Sequence, residues 1–127
     1  MKIVDASAMI DMLTGGTRRD QLVSILDDDV FAPDLLVSEV LGFLRRMVSQ
    51  QRLTDSEADQ LAQVFNGAPV EYVHVWPCAG RVWDLRHNLS SYDACYVAVA
   101  EELHAPLVTT DLRLARAATG VVPVIAV

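Results

Sequence analysis

Lysine is almost absent from this chain. Its ten basic residues are nine arginines and Lys2, set against seventeen acidic residues, for a formal charge of −7. That balance excludes a general nucleic-acid coat protein, which needs cations to neutralise phosphate. It leaves room for a nuclease in which some acids sit on metal and arginine grips phosphate bidentately. Cysteine is scarce too: Cys78 and Cys95 form no CxxC, which fits core thiols in a reducing cytosol and not a disulfide framework. The histidines, His74, His87 and His104, lack HxxxH-type spacing. No apolar run approaches the roughly 18 residues of a transmembrane helix. An apolar strand begins at the second residue, so no leader is expected, and the expected location is cytoplasmic. Repeats, linkers and low-complexity tracts are missing.

What is present is a well-patterned globular chain. Its 127 residues, 52% hydrophobic, suit one domain over residues 1–127 with its own core. Short β-branched runs alternate with helical patterns: Ile3-Val4, then 8–13 and 17–26 as helices, then Val30–Ala32. A helix follows from Leu35 to about Gln50. Leu36, Val40, Phe43 and Met47 form one of its apolar rows, and Val37, Leu41, Leu44 and Val48 another. Thr17 suits a helix cap. Thr54-Asp55-Ser56-Glu57 is a capping box that opens a helix through Phe65. Val70–Val75 alternates as a strand, and 78–87 reads as a short helix. Ser90 and Ser91 start a helix from Tyr92 to Leu103 that is apolar nearly all round and so central. Leu107–Thr110, a helix over 112–118 and Val121–Val127 complete the series. Such alternation predicts a three-layer α/β/α sandwich on a mostly parallel five-stranded sheet, with ligands at the carboxyl ends of strands where their order reverses.

Four acids fall at the ends of apolar elements: Asp5, Glu39, Asp93 and Asp111. Taken singly, each has a structural reading: a strand-end turn, a helix acid, a first-turn dipole partner and an N-cap. If Asp5 and Asp111 end neighbouring strands, all four meet at one sheet edge. Two unit charges 4 Å apart repel by roughly 4 kcal/mol at an effective dielectric of 20. Such a cluster needs protonation or a divalent cation. Oxygen-only ligands suit Mg²⁺ or Mn²⁺, and the natural chemistry of such a site is phosphodiester hydrolysis.

The segments Ile3-Val4-Asp5-Ala6-Ser7, Ala32-Pro33-Asp34-Leu35-Leu36 leading to Glu39-Val40, Tyr92-Asp93-Ala94 and Leu107-Val108-Thr109-Thr110-Asp111 together resemble the PIN-domain family, and within it the VapC toxins. The resemblance spans the chain in order. It implies a Mg²⁺- or Mn²⁺-dependent endoribonuclease acting on structured RNA such as tRNA or rRNA, a homodimer, and a VapB-type antitoxin as partner. It makes Asp5, Glu39, Asp93 and Asp111 the catalytic metal ligands and Ser7 and Thr109 their orienters. Arg18, Arg19, Arg113 and Arg116 become candidate phosphate contacts, with 113 and 116 expected to matter more than Arg45 or Arg46. Other readings are a PIN nuclease of RNA processing, a phosphotransfer domain and a non-catalytic binding module. The phosphotransfer reading is disfavoured by the Asp-Ala-Ser context of Asp5 and by the position of Lys2.

Overall fold

The computed structural model describes all residues from Met1 to Val127. Five strands, β1 (Lys2–Val4), β2 (Val30–Pro33), β3 (Val70–Val73), β4 (Leu107–Thr109) and β5 (Val124–Ala126), form one sheet in the order β3-β2-β1-β4-β5. All four pairings are parallel, one step beyond the mostly parallel sheet expected from the alternation. The chain leaves β1 toward β2 and β3, then returns to lay β4 on the other side of β1. The strand order therefore reverses between β1 and β4, as a binding edge requires.

Seven helices cover the sheet: α1 (Ala6–Thr14), α2 (Arg19–Ile25), α3 (Leu36–Ser49), α4 (Asp55–Asn66), α5 (Ala79–Asp84), α6 (Ser91–Glu102) and α7 (Leu112–Ala118). Helices α1 to α4 pack against one another, and α5 packs on α6. Right-handed crossovers put the first group on one face and α5, α6 and α7 on the other, giving the three layers. Helix α6 is the central one: Ala94 and Tyr96 to Ala100 are all buried, against β1, β2 and β4. Ile3, Val4, Leu107 and Val108 fill the sheet's middle with no exposed surface.

Several local expectations shift. Thr17 does not cap α2; Gly15, in the left-handed region at φ 70°, turns the chain so that Arg18 precedes the helix with no side-chain cap. On α3 the buried face is narrower than the pattern suggests, because Val37 and Leu41 remain exposed. The segment 78–87 divides into a 3₁₀ turn at Trp76–Cys78, the six-residue α5 and further turns. Strand β3 ends at Val73, at the sheet's edge. The last strand loses Val121 and Val122, whose N–H groups turn back to the Ala118 carbonyl, and Pro123 has no N–H to give. The Thr54–Glu57 capping box forms as read, with both reciprocal bonds present. Cys78 and Cys95 are free thiols.

Candidate active site

Asp5 is where β1 becomes α1. Its Oδ1 accepts the Ala8 N–H at 2.9 Å, so the carboxylate caps the positive end of the helix. The Ser7 hydroxyl lies 2.7 and 2.9 Å from its two oxygens, and the Thr109 hydroxyl donates to Oδ2. Both hydroxyls accept in turn: Thr110 N–H donates to Ser7 Oγ at 3.1 Å, and Asp111 N–H to Thr109 Oγ1 at 3.0 Å. This is why β4 stops at Thr109. The backbone beyond it is diverted from the ladder to the hydroxyls of Ser7 on α1 and Thr109 on β4, which fasten the ends of the two central strands together. Asp5 is only 3% exposed. Burial pushes its carboxyl up to about 6 in spite of these three donors, and the charge of Asp93 adds to the rise.

Asp93 lies in the first turn of α6, where Ser90 caps the helix by accepting the Asp93 N–H at 3.1 Å. Burial raises its carboxyl, the charge of Asp111 raises it further, and Arg113 opposes. Glu39, in the first turn of α3, is raised by burial and by Asp93 but held down by the Tyr96 hydroxyl and Arg46. That hydroxyl donates to Glu39 Oε1 at 2.8 Å. Asp111 caps α7, its Oδ1 accepting the N–H groups of Arg113 and Leu114 at 2.9 and 3.3 Å. Asp93 is thus the electrostatic hub, coupled to each of the other three acids. All four stand on or beside the N-terminal turn of a helix that starts from the carboxyl edge of the sheet.

None of the four acids forms an ion pair with the chain's own cations. No three of them, by themselves, reach the mutual spacing of a closed ligand cage. Helix N-termini supply part of the compensation. The rest of the charge suits a hard divalent cation, which takes oxygen donors, needs only one or two direct carboxylates and keeps several waters. The oxygen-only donor chemistry therefore fits a hard divalent cation of the Mg²⁺ or Mn²⁺ kind.

The basic residues divide. Arg113 shares a cleft with Asn88, Ser90 and Asp93. Arg116 is exposed in the last turn of α7. Arg18 pairs with Asp11 at 3.4 Å, toward the far end of α1, about 9 Å of helix rise beyond Asp5. The Arg19 guanidinium lies beside Gly15, at that same end. Neither is brought to the acids. Two other residues are brought to Glu39: Tyr96, which no sequence motif singles out, and Arg46, expected to matter less than Arg113 and Arg116, which lines the cleft holding Glu39. Weaker signals for both were present. Tyr96 follows Asp93 by three residues, on the same helix face, and is the one polar tip in an apolar stretch. Arg46 follows Glu39 by seven, two turns along one face.

The chain matches the family model described as PIN domain over residues 2–120. It is 38% identical to Ribonuclease VapC9 of Mycobacterium tuberculosis over 114 residues, 90% of this chain and 88% of that one. It is 38% identical to Ribonuclease VapC1 of the same organism over 121 residues, 91% and 89%. Among solved structures, it resembles M. tuberculosis VapC20, a sarcin–ricin loop cleaving toxin, with a TM-score of 0.70 at 20% identity, over 92% of this chain and 95% of the other. A toxin–antitoxin complex from Klebsiella pneumoniae gives 0.72 at 17% identity, over 99% and 97%.

Proposed function

The chain belongs to the PIN-domain family, and from that premise we propose that it is a divalent-metal-dependent endoribonuclease of VapC type, the toxin of a toxin–antitoxin pair. One observation carries the reading. Asp5 is buried at the switch point of the sheet, held by three donors, paired with no cation and coupled through Asp93 to Glu39 and Asp111. A scaffold gains nothing from such repulsion; a metal site requires it.

In this reading Asp5 and Asp93 would hold Mg²⁺ or Mn²⁺, with Glu39 and Asp111, coupled to Asp93, adding negative charge around it. When bound, the ion neutralises a phosphate oxygen and acidifies a water. The chain's own residues do the rest. Ser7 and Thr109 hold Asp5 ionised and fix its two oxygens. Tyr96 occupies one oxygen of Glu39 and leaves the other for the site. Arg113, beside Asp93, binds the phosphate of structured RNA, with Arg116 behind it. Arg18 and Arg19, beyond the far end of α1, flank the RNA entrance at most. The active form is a cytoplasmic homodimer of one domain per chain, over residues 1–127, silenced by a VapB-type antitoxin. No helix is long and apolar enough to cross a membrane.

The test is cleavage of cellular RNA, tRNA and rRNA included, with Mg²⁺, with Mn²⁺ and with chelator. Wild type cuts only with metal, and Asp5→Asn and Asp93→Asn lose at least about 100-fold while keeping their thermal melts. A folded wild type without metal-dependent cleavage refutes the reading.

A further inference from the structure

Tyr92 immediately precedes Asp93 in the first turn of α6, yet 62% of its surface meets solvent. Two clefts meet at its ring. One, about 400 Å³, is lined by Leu35, Ser38, Glu39, Arg46 and Tyr92. The other, about 520 Å³, is mostly apolar and includes Leu35, Val75, Val82, Tyr92 and Cys95. Leu35 and Tyr92 border both, so one trough runs from the Glu39 carboxylate, past the tyrosine ring, into an apolar hollow between α5 and α6. We propose that this trough is a nucleotide subsite for the RNA strand, in which a base stacks on Tyr92 over the hollow and Arg46 contacts the adjoining phosphate. The inference rests on the ribonuclease reading and extends it to residues outside the carboxylate cluster.

The chemistry of the lining sorts the nucleotide's parts. A flat π-surface beside aliphatic walls suits a base, and stacking on it is tolerant of sequence because every base offers a π-face. The hollow excludes phosphate, since its charged lining residue is Asp34, an exposed carboxylate. Phosphate is left to the Glu39 side, where Arg46 is exposed and makes no ion pair, unlike Arg18 and Arg81. Arg46 and Glu39 lie two turns apart on one face of α3, about 10 Å of helix rise, and line the same cleft. The trough is continuous with the site through Glu39. That continuity favours a substrate strand over a protein partner, which has more to gain from Trp76 and Trp83, neither of which lines the trough and which are 78% and 66% exposed.

The test uses single-stranded oligoribonucleotides carrying 2-aminopurine, with binding read in the non-cleaving Asp5→Asn background and kinetics in the otherwise wild-type chain. Tyr92→Ala and Tyr92→Leu should raise KM about 5- to 100-fold with kcat at saturating RNA nearly unchanged, whereas Tyr92→Phe stays close to wild type. The fluorophore should be quenched on binding with Tyr or Phe at position 92 and remain bright with Ala or Leu. Arg46→Ala should raise KM and flatten its salt dependence. Mn²⁺ affinity should be the same in all the position-92 variants, separating the subsite from the metal centre. Unchanged KM in Tyr92→Ala overturns the subsite while leaving the ribonuclease reading intact. So does unaltered RNA binding accompanied by a change in sedimentation, which marks the ring as a protein contact. A wild type that neither cleaves RNA nor quenches the base defeats both readings, and cleavage without quenching defeats only this one.

Discussion

Replacing Thr109 with valine removes one hydroxyl and little volume, and the hydroxyl it removes joins the two central strands. Thr109 Oγ1 donates to Asp5 and accepts from the Asp111 N–H. A hydrogen bond to a charged group contributes about 1.5–3 kcal/mol. One pKa unit corresponds to about 1.4 kcal/mol. Loss of the donor should therefore carry the Asp5 carboxyl upward by about one to two units from its already raised position near 6. A metal ligand must be ionised to bind, so the acid limb of the cleavage rate, measured against pH at sub-saturating Mn²⁺, should move up by the same one to two units. Mn²⁺ binding followed by paramagnetic resonance should weaken in parallel at neutral pH. The orphaned Asp111 N–H adds a stability loss of about 1–3 kcal/mol, read separately by denaturant unfolding. Thr109→Ser keeps the hydroxyl and should keep both the limb and the affinity. A folded Thr109→Val with an unmoved acid limb would refute the reasoning: either Ser7 and Ala8 suffice to hold Asp5 ionised, or another group sets the limb.

Three further outcomes are expected. In chelator, the folded chain holds the Asp5 proton more tightly than the unfolded chain does, because burial lifts the carboxyl from 3.8 to about 6. Metal-free stability should therefore fall as pH rises from about 4 to 6, by at most about 3 kcal/mol, and a melting temperature that instead climbs across that window contradicts the burial argument. Tyr96→Phe frees Glu39 Oε1 and should weaken Mn²⁺ binding about 10-fold, seen by titration calorimetry; equal affinity would make the Tyr96–Glu39 bond purely structural. Thr54→Ala breaks the capping box of α4, far from the acids, and should cost about 1 kcal/mol in urea unfolding with metal-dependent cleavage unaltered.

The capping box, the buried α6 and the placement of four acids at element ends were legible because each depends on residues within a turn or two of one another. Local propensity and hydrophobic period decide such features before the chain folds. The capping role of Thr17 was misread because the left-handed Gly15 redirects the backbone, a conformational choice that composition does not announce. The full length of the last strand was misread because Val121 and Val122 still belong to the turn that closes α7.

Other features have no local cause. Thr109 meets Asp5 across 104 residues and Tyr96 meets Glu39 across 57. The sequence by itself determined which residues carry charge, the order and type of the helices and strands, and that Asp5 ends a strand. Tertiary structure alone decided that β4 lies beside β1, that Asp5 is shut from water and that its charge faces Asp93. Desolvation and Coulomb coupling depend on distances between elements far apart in the chain, and packing of the whole sheet and its helices sets those distances.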